Sequence, residues 1–307
     1  MTNASLAEIG SVMSLWRYPV KSMMGEKLSM AHVNAHGFLG DRVYAILDRA
    51  DGKVATAKNP LKWTNLFAFH ATSVDPSGHN GNAPLVRITL PDGTIVTSEQ
   101  GDLNRLLSKA LNREVTLAIR VGGGVAGVQS GMPASWLAQS EEYWPDIDGR
   151  DKRDTITEFS LPPGTFFDGA MMHVLTTATL NQLREVYPDG RFEVSRFRPN
   201  LVVDTGRHQK GFVENAWIGH TLSIGDEVRL KIIGPCGRCV MTTLAQRGLP
   251  KDSGILRAAV QHNQGHVGVY AAVARGGTIR HGDQVRLEAY SVFGAKSSAW
   301  MGETRVR

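Results

Sequence analysis

Apolar and polar residues alternate along most of this chain with the period of two that marks a half-buried strand. SVMSLWRYPV (11–20) and RVYAILD (42–48) are apolar, β-branched or aromatic runs that end at turn residues. LVRITLPDGTIVTS (85–98) holds two alternating runs around Pro91-Asp92-Gly93, a hairpin pattern. EVTLAIRV (114–121), NLVVDT (200–205) and HVGVYAAVA (266–274) continue the theme. Helical spacing is rarer. DLNRLLSKAL (102–111) sets Leu103, Leu106, Leu107, Ala110 and Leu111 on one face. TTATLNQLREVYP (176–188) offers Thr176 or Thr177 as a cap, an apolar stripe of Leu180, Leu183 and Tyr187, and a stop at Pro188. KDSGILRAAVQHN (251–263) reads as a third, shorter helix.

TLSIGDEVRLKI (221–232) and TIRHGDQVRLEA (278–289) share one frame, in which Gly-Asp supplies a tight turn before an alternating strand. Two copies do not make a solenoid. They read as two similar hairpin edges of one barrel, whose closure removes exposed strand edges. The fold class expected is therefore α+β, mostly β, with a few short helices, and not a doubly wound α/β sheet. Residues 122–160 are rich in Gly, Pro and charge and lack a sustained period, as a connecting segment would be.

Length and composition narrow the classes. The 307 residues can bury one large core or two medium ones. No apolar run approaches the roughly 20 residues that span a bilayer, so no membrane partner is expected. MTNASLAEIGSVMSLW has no basic region followed by an apolar core and cleavage site. With two cysteines and no export signal, a reducing cytoplasmic setting is expected. The net charge of +5 is mildly basic, but no Lys/Arg run is interleaved with aromatics, which argues against nucleic acid. A phosphate-bearing ligand met by a few placed cations fits better.

Both cysteines fall in IIGPCGRCVMTT (232–243), between two apolar runs. A structural zinc site needs four ligands, and around the nearest candidates, His262 and His266, Gly265 and the strand-like HVGVYAAVA argue against a ligand helix. A redox dithiol wants a helix behind it, whereas Val240, Met241, Thr242 and Thr243 favour a strand. Two buried thiols without a task are the bland reading. Against it, Gly234, Pro235 and Gly237 make a loop, and Arg238 abuts Cys239, where a guanidinium would favour a thiolate offered to a soft metal.

GRCVMTT, the later GHVGVYAAVARGGTIRHGDQVRL and the early LWRYPVKSMMGEKLSMAHVNAHGFLGDRVYAILD together resemble a MOSC-domain protein with its N-terminal MOSC β-barrel domain. That family is similar to the C-terminal domain of molybdenum cofactor sulfurase and includes amidoxime-reducing components and N-hydroxylated-base reductases. The resemblance implies an N-terminal β-barrel-like domain at 10–125, a linker at 126–165, a MOSC β-barrel at 166–290 and a tail at 291–307. It also implies a molybdenum cofactor (Mo-molybdopterin), with Cys239 as the one protein ligand to the metal. Cys236 has no assigned role there and reads as a neighbour.

In YPVKS, Lys21 and Ser22 resemble pterin-phosphate contacts, and Arg42 of GDR a second phosphate cation. Arg198 and Asn200 of FRPN resemble cofactor contacts. Asp168, Gly169 and Ala170 of FFDGAMM resemble a loop whose backbone meets the pterin, though the pattern is looser. Gly237 and Arg238 flank the metal ligand and could orient the pterin. On residue type alone, each of these could equally be a strand-end lysine, a surface ion pair or a plain turn. Met23–Met24 and Met171–Met172 read as packing, His36, His173 and His281 as structural, and Gly122–Gly124 as no nucleotide loop.

The resemblance implies an oxidoreductase for N-oxygenated small molecules. Electrons would come from a separate flavoprotein, ferredoxin or cytochrome, because no iron–sulfur cysteine tail follows. The sulfurase carries a pyridoxal-phosphate domain, and no pyridoxal lysine motif is evident here. The rival reading is a carrier of molybdenum cofactor or sulfur without small-substrate turnover.

Overall fold

The computed structural model describes residues 6–75, 84–121, 124–127, 140–143, 157–161 and 166–288. The chain opens with strands β1 (Leu6–Arg17), β2 (Glu26–Leu28), β3 (Met30–Asn34), β4 (Gly37–Phe38) and β5 (Tyr44–Asp48). There follow β6 (His70–Asp75), β7 (Leu85–Thr89), β8 (Ile95–Thr97), helix α1 (Leu103–Leu111), β9 (Val115–Val121) and β10 (Gly124–Gly127). A ladder of β11 (Ser140–Tyr143) with β12 (Thr157–Ser160) comes next. The remainder is β13 (Met172–Thr176), α2 (Thr177–Val186), α3 (Val194–Phe197), β14 (Leu201–Asp204), β15 (Thr221–Ile224) and β16 (Val228–Gly237). It ends in α4 (Gly254–Asn263), β17 (His266–Arg275), β18 (Gly277–Arg280) and β19 (Gln284–Glu288).

Seven strands close into a barrel in the order β14-β13-β17-β16-β15-β19-β1, and the β1–β14 pairing seals it. Closure leaves none of the seven with an open ladder edge. Inward positions alternate with outward ones. Met172 and Val174 of β13 and Val269 and Ala271 of β17 join Val12, Leu201, Leu222, Leu230 and Val285 in the barrel core. On the outside, Leu175 and Val267 meet Leu180, Leu183, Ile255 and Ala259 of α2 and α4. The β13–β14 pair is parallel, and its crossover runs through α2 and α3, as a parallel pair requires.

The N-terminal region builds two three-stranded sheets, β10-β9-β5 and β6-β7-β8, around a second core with α1. The chain is mostly β with short helices, the expected fold class. The expected cut between 10–125 and 166–290 does not divide the sheets, however: β1 is a stave of the C-terminal barrel, and β3 pairs with β18. Most of the expected linker 126–165 and all of the tail after residue 290 lie outside the described residues, as do Gly122 and Gly123.

Helices α1, α2 and α4 stand where the spacing predicts, and Thr176 is the cap of α2, accepting from the Thr179 N–H at 3.1 Å. The repeated frame folds in two ways. The first copy is a true hairpin, β15 to β16. In the second, β18 leaves for β3 while β19 joins β15 and β1, so the shared Gly-Asp turn joins different sheets. Among the described residues no helix is long and apolar enough to cross a membrane.

Candidate functional site

The residues singled out in the sequence converge where the two cores meet. The turn after β1 brings Tyr18, Lys21 and Ser22, and the turn before β5 brings Asp41 and Arg42. The loop after β5 brings Lys58, the approach to β13 brings Asp168, the α3–β14 corner brings Arg198 and Asn200, and the end of β16 brings Cys236, Arg238 and Cys239.

Backbone conformation marks the place. Five described non-glycine residues have a left-handed φ, and three are Ser22 (61°), Arg42 (48°) and Arg198 (52°). Such a conformation costs on the order of 1 kcal/mol each and persists only where surroundings impose it. Their concentration among the predicted ligand contacts sets them apart from ordinary turns.

The Lys21 ammonium donates to the Phe166 carbonyl at 3.0 Å and pairs with the Asp168 carboxylate. Lys58 reaches the same carboxylate oxygen at 3.1 Å. Burial alone would raise the Asp168 acid, but Lys21 and Lys58 hold it well below the usual carboxylate range. The Ser22 hydroxyl oxygen accepts from the Ala57 N–H at 3.2 Å, which anchors the Lys58 loop.

Arg42 and Arg198 lie against the Tyr18 ring, 5.0 and 4.2 Å from its centroid. Arg198 also donates to the Met23 carbonyl. Burial first, and then repulsion from Arg42, lowers Arg198 to about 10. Asp41 ties the group together: it accepts from the Tyr18 N–H at 2.7 Å, from Asn200 Nδ2 at 2.9 Å, and from Arg42. Asn200 spends its remaining capacity internally, accepting from the His173 N–H at 3.1 Å and donating to the Trp16 carbonyl at 3.3 Å. Its observed contacts are those of a tie between β1 and the α3–β14 corner.

The cysteine window differs from expectation in two respects. Val240–Thr242 form a 3-10 turn with Cys239 at its cap, not a strand. The Thr242 and Thr243 hydroxyls donate back three residues, to Cys239 O at 3.0 Å and Val240 O at 2.8 Å, and this local bonding outweighs β propensity. The second difference concerns Arg238. Just past the end of β16, its guanidinium meets the Cys236 sulfur and the Phe197 carbonyl, each at 2.9 Å, rather than Cys239. Burial would raise the Cys236 thiol, but His173 and Arg238, with hydrogen bonds from His173 and Tyr270, bring it down to about 6.

Cys239 is partly buried and packs against the N-terminal core. Burial pushes its thiol up, against the pull of Lys58 and Arg238. Both thiols are free, and among the described residues no three His, Cys, Asp or Glu cluster as a metal site would. Gly169 is exposed, and a Cβ there would come within 3.3 Å of the Tyr270 ring. Ala170 is half-buried beside it. Gly237 is exposed, its backbone pairing with His266, and a Cβ there would meet nothing within 4 Å. His173 Nε2 also lies 2.9 Å from the Val267 carbonyl.

Lys58, Asp41 and Tyr18 are the site residues that motif reading passed over. Tyr18 carried a usable signal, since it opens the same YPVKS stretch as Lys21. Lys58 carried none, because only the fold brings it to Asp168.

The cluster suits a phosphate-bearing cofactor with a soft metal. Among the described residues, five cations (Lys21, Lys58, Arg42, Arg198 and Arg238) gather with the carboxylates Asp41 and Asp168 and the Cys236 sulfur in a largely buried setting. Tyr18 Oη and Arg238 Nε are buried with no hydrogen-bond partner among the described residues. Cys239 is the thiol that no guanidinium occupies. Buried donors without acceptors beside a cluster of cations suit an anionic ligand.

Residues 163–286 match the MOSC domain, and residues 9–78 match the MOSC N-terminal beta barrel domain. The chain is 26% identical to mouse mitochondrial amidoxime-reducing component 1, over 92% of this chain and 83% of that protein. It is also 26% identical to zebrafish molybdenum cofactor sulfurase, over 84% of this chain and 31% of that protein. Among solved structures, the YUAD protein from Bacillus subtilis superposes with a TM-score of 0.46 at 12% identity, over 94% of this chain and all of that one. With both domains matched in order, and amidoxime-reducing components among its relatives, the chain belongs to the MOSC family.

Proposed function

We propose that this protein holds a molybdenum cofactor and reduces N-oxygenated substrates, such as N-hydroxylated bases or amidoximes. Electrons come from a separate flavoprotein, ferredoxin or cytochrome. The observation that carries this reading is the meeting of a partly buried free thiol, Cys239, with a cluster of buried cations drawn from both matched domains. The cofactor supplies the two-electron chemistry on oxygen; the chain supplies its seat. Cys239 is the metal ligand. Lys21, Lys58, Arg42 and Arg198 answer its anionic groups, and the Tyr18 hydroxyl and Arg238 Nε offer two donors to it. Asp41 and Asn200 hold the arginine-bearing corners in register.

The test is metal and pterin analysis of protein from cofactor-competent cells, followed by reduction of benzamidoxime with an artificial electron donor. Molybdenum with turnover is the expected result. Molybdenum without turnover under any donor would favour the carrier reading, in which Cys239 holds cofactor or sulfur in transit. Neither molybdenum nor pterin would overturn both.

A further inference from the structure

Lys58 belongs to none of the sequence motifs, yet the fold delivers it to the centre of the site. Its loop is fixed by the bond from Ala57 N–H to Ser22 and by the Lys58 N–H donating to Thr56 Oγ1 at 3.2 Å. The two ammonium groups that meet Asp168 are deeply placed, with side chains 5% exposed for Lys21 and 10% for Lys58. The carboxylate between them is the outer member, its side chain 40% exposed.

We infer that Lys21 and Lys58 form a cradle for one phosphate group, in which the Asp168 carboxylate stands in until the ligand arrives and then yields its place. This deepens the proposed function and rests on it for the identity of the phosphate bearer. Two buried ammonium groups are costly without an anion, so an internal carboxylate stabilises the empty cradle. A phosphate monoester brings up to two negative charges and three acceptor oxygens where the carboxylate brings one charge and two. Being half-exposed, Asp168 regains water readily when displaced. The buried Tyr18 Oη, which has no hydrogen-bond partner among the described residues, and the nearby Arg42 and Arg198 add a donor and positive charge at the same place.

The test uses the full-length protein from a cofactor-deficient host, titrated with inorganic phosphate by calorimetry at low ionic strength. Removing an internal competitor raises apparent affinity, so Asp168→Asn is expected to bind phosphate about tenfold tighter than wild type. Lys58→Met is expected to weaken binding by about tenfold, and Lys58→Arg, which keeps the charge, to restore most of it. Equal or weaker phosphate binding by Asp168→Asn would overturn the exchange. Undiminished binding by Lys58→Met would remove Lys58 from the cradle. If Lys58→Met does not fold, the Asp168→Asn comparison decides the matter alone. Molybdenum-loaded protein is expected to take up no phosphate, the cradle being filled; uptake there would overturn the cofactor as the phosphate bearer. Failed phosphate effects beside co-purified molybdenum would sink the cradle and leave the proposed function standing, and the converse result would do the opposite.

Discussion

Arg238, just past the end of β16, gives its guanidinium to Cys236 and not to the adjacent Cys239. The two thiols consequently titrate in opposite directions. Cys236 is lowered from 9.0 to about 6, while Cys239 is raised by burial. A thiolate absorbance that titrates near pH 6 is expected in the cofactor-free protein. It should persist in Cys239→Ser and vanish in Cys236→Ser; persistence in Cys236→Ser would move the thiolate elsewhere. The sign for stability follows. Between pH 6 and 9 the unfolded chain binds the Cys236 proton and the folded chain does not, so stability rises with pH across that window and is lost as pH falls through 6. Unfolding free energies of wild type and Cys236→Ser should therefore diverge toward alkaline pH, by up to about 4 kcal/mol. Cys236 is thus more than the idle neighbour it resembles in the sequence.

At the level of elements, β17 passes the site with Gly268 at φ +80, and a Cβ there would stand 2.3 Å from His173 Nε2 and 2.5 Å from the Val174 carbonyl. Gly268→Ala is expected to cost roughly 2–4 kcal/mol in denaturant unfolding, since neither the backbone nor the engaged imidazole can retreat. The start of α2 is equally specified. Thr176 caps the helix and, with Thr179, donates to Glu214 Oε2, each at 2.7 Å; burial pushes that acid upward. Thr176→Ala should lower stability by about 1–2 kcal/mol, measured in the same way, and Thr176→Ser should recover most of it. Local chemistry made this helix legible: a hydroxyl, a 3.6-residue stripe and a proline stop. The same reasoning failed after Cys239, where Val, Met and two threonines read as strand while their hydroxyls favour a 3-10 turn. It also located both Gly-Asp turns but could not foresee that β18 pairs with β3, some 250 residues earlier, because partner choice is set by the fold and not by the local pattern. Lys58 escaped for that reason too.

The molecule as a whole depends on its first strand. β1 bridges β19 and β14, so without it the barrel has two open edges and the site loses Tyr18 and Lys21 from their places at its end. A fragment starting at residue 163 is expected to aggregate or unfold without cooperativity, although it spans the whole matched MOSC domain. A soluble, cooperatively folded fragment would show that the domain closes by another route. The same interdependence explains why the cations come from both halves: the seat exists only when the chain's beginning is woven into its end. The decisive quantity is molybdenum per chain in protein from cofactor-competent cells, compared between wild type and Cys239→Ser with unfolding midpoints checked in parallel. Wild type should carry up to about one molybdenum, and the variant, equally well folded, at least roughly tenfold less. Equal metal in both proteins would mean that Cys239 is not the ligand on which the proposed chemistry stands.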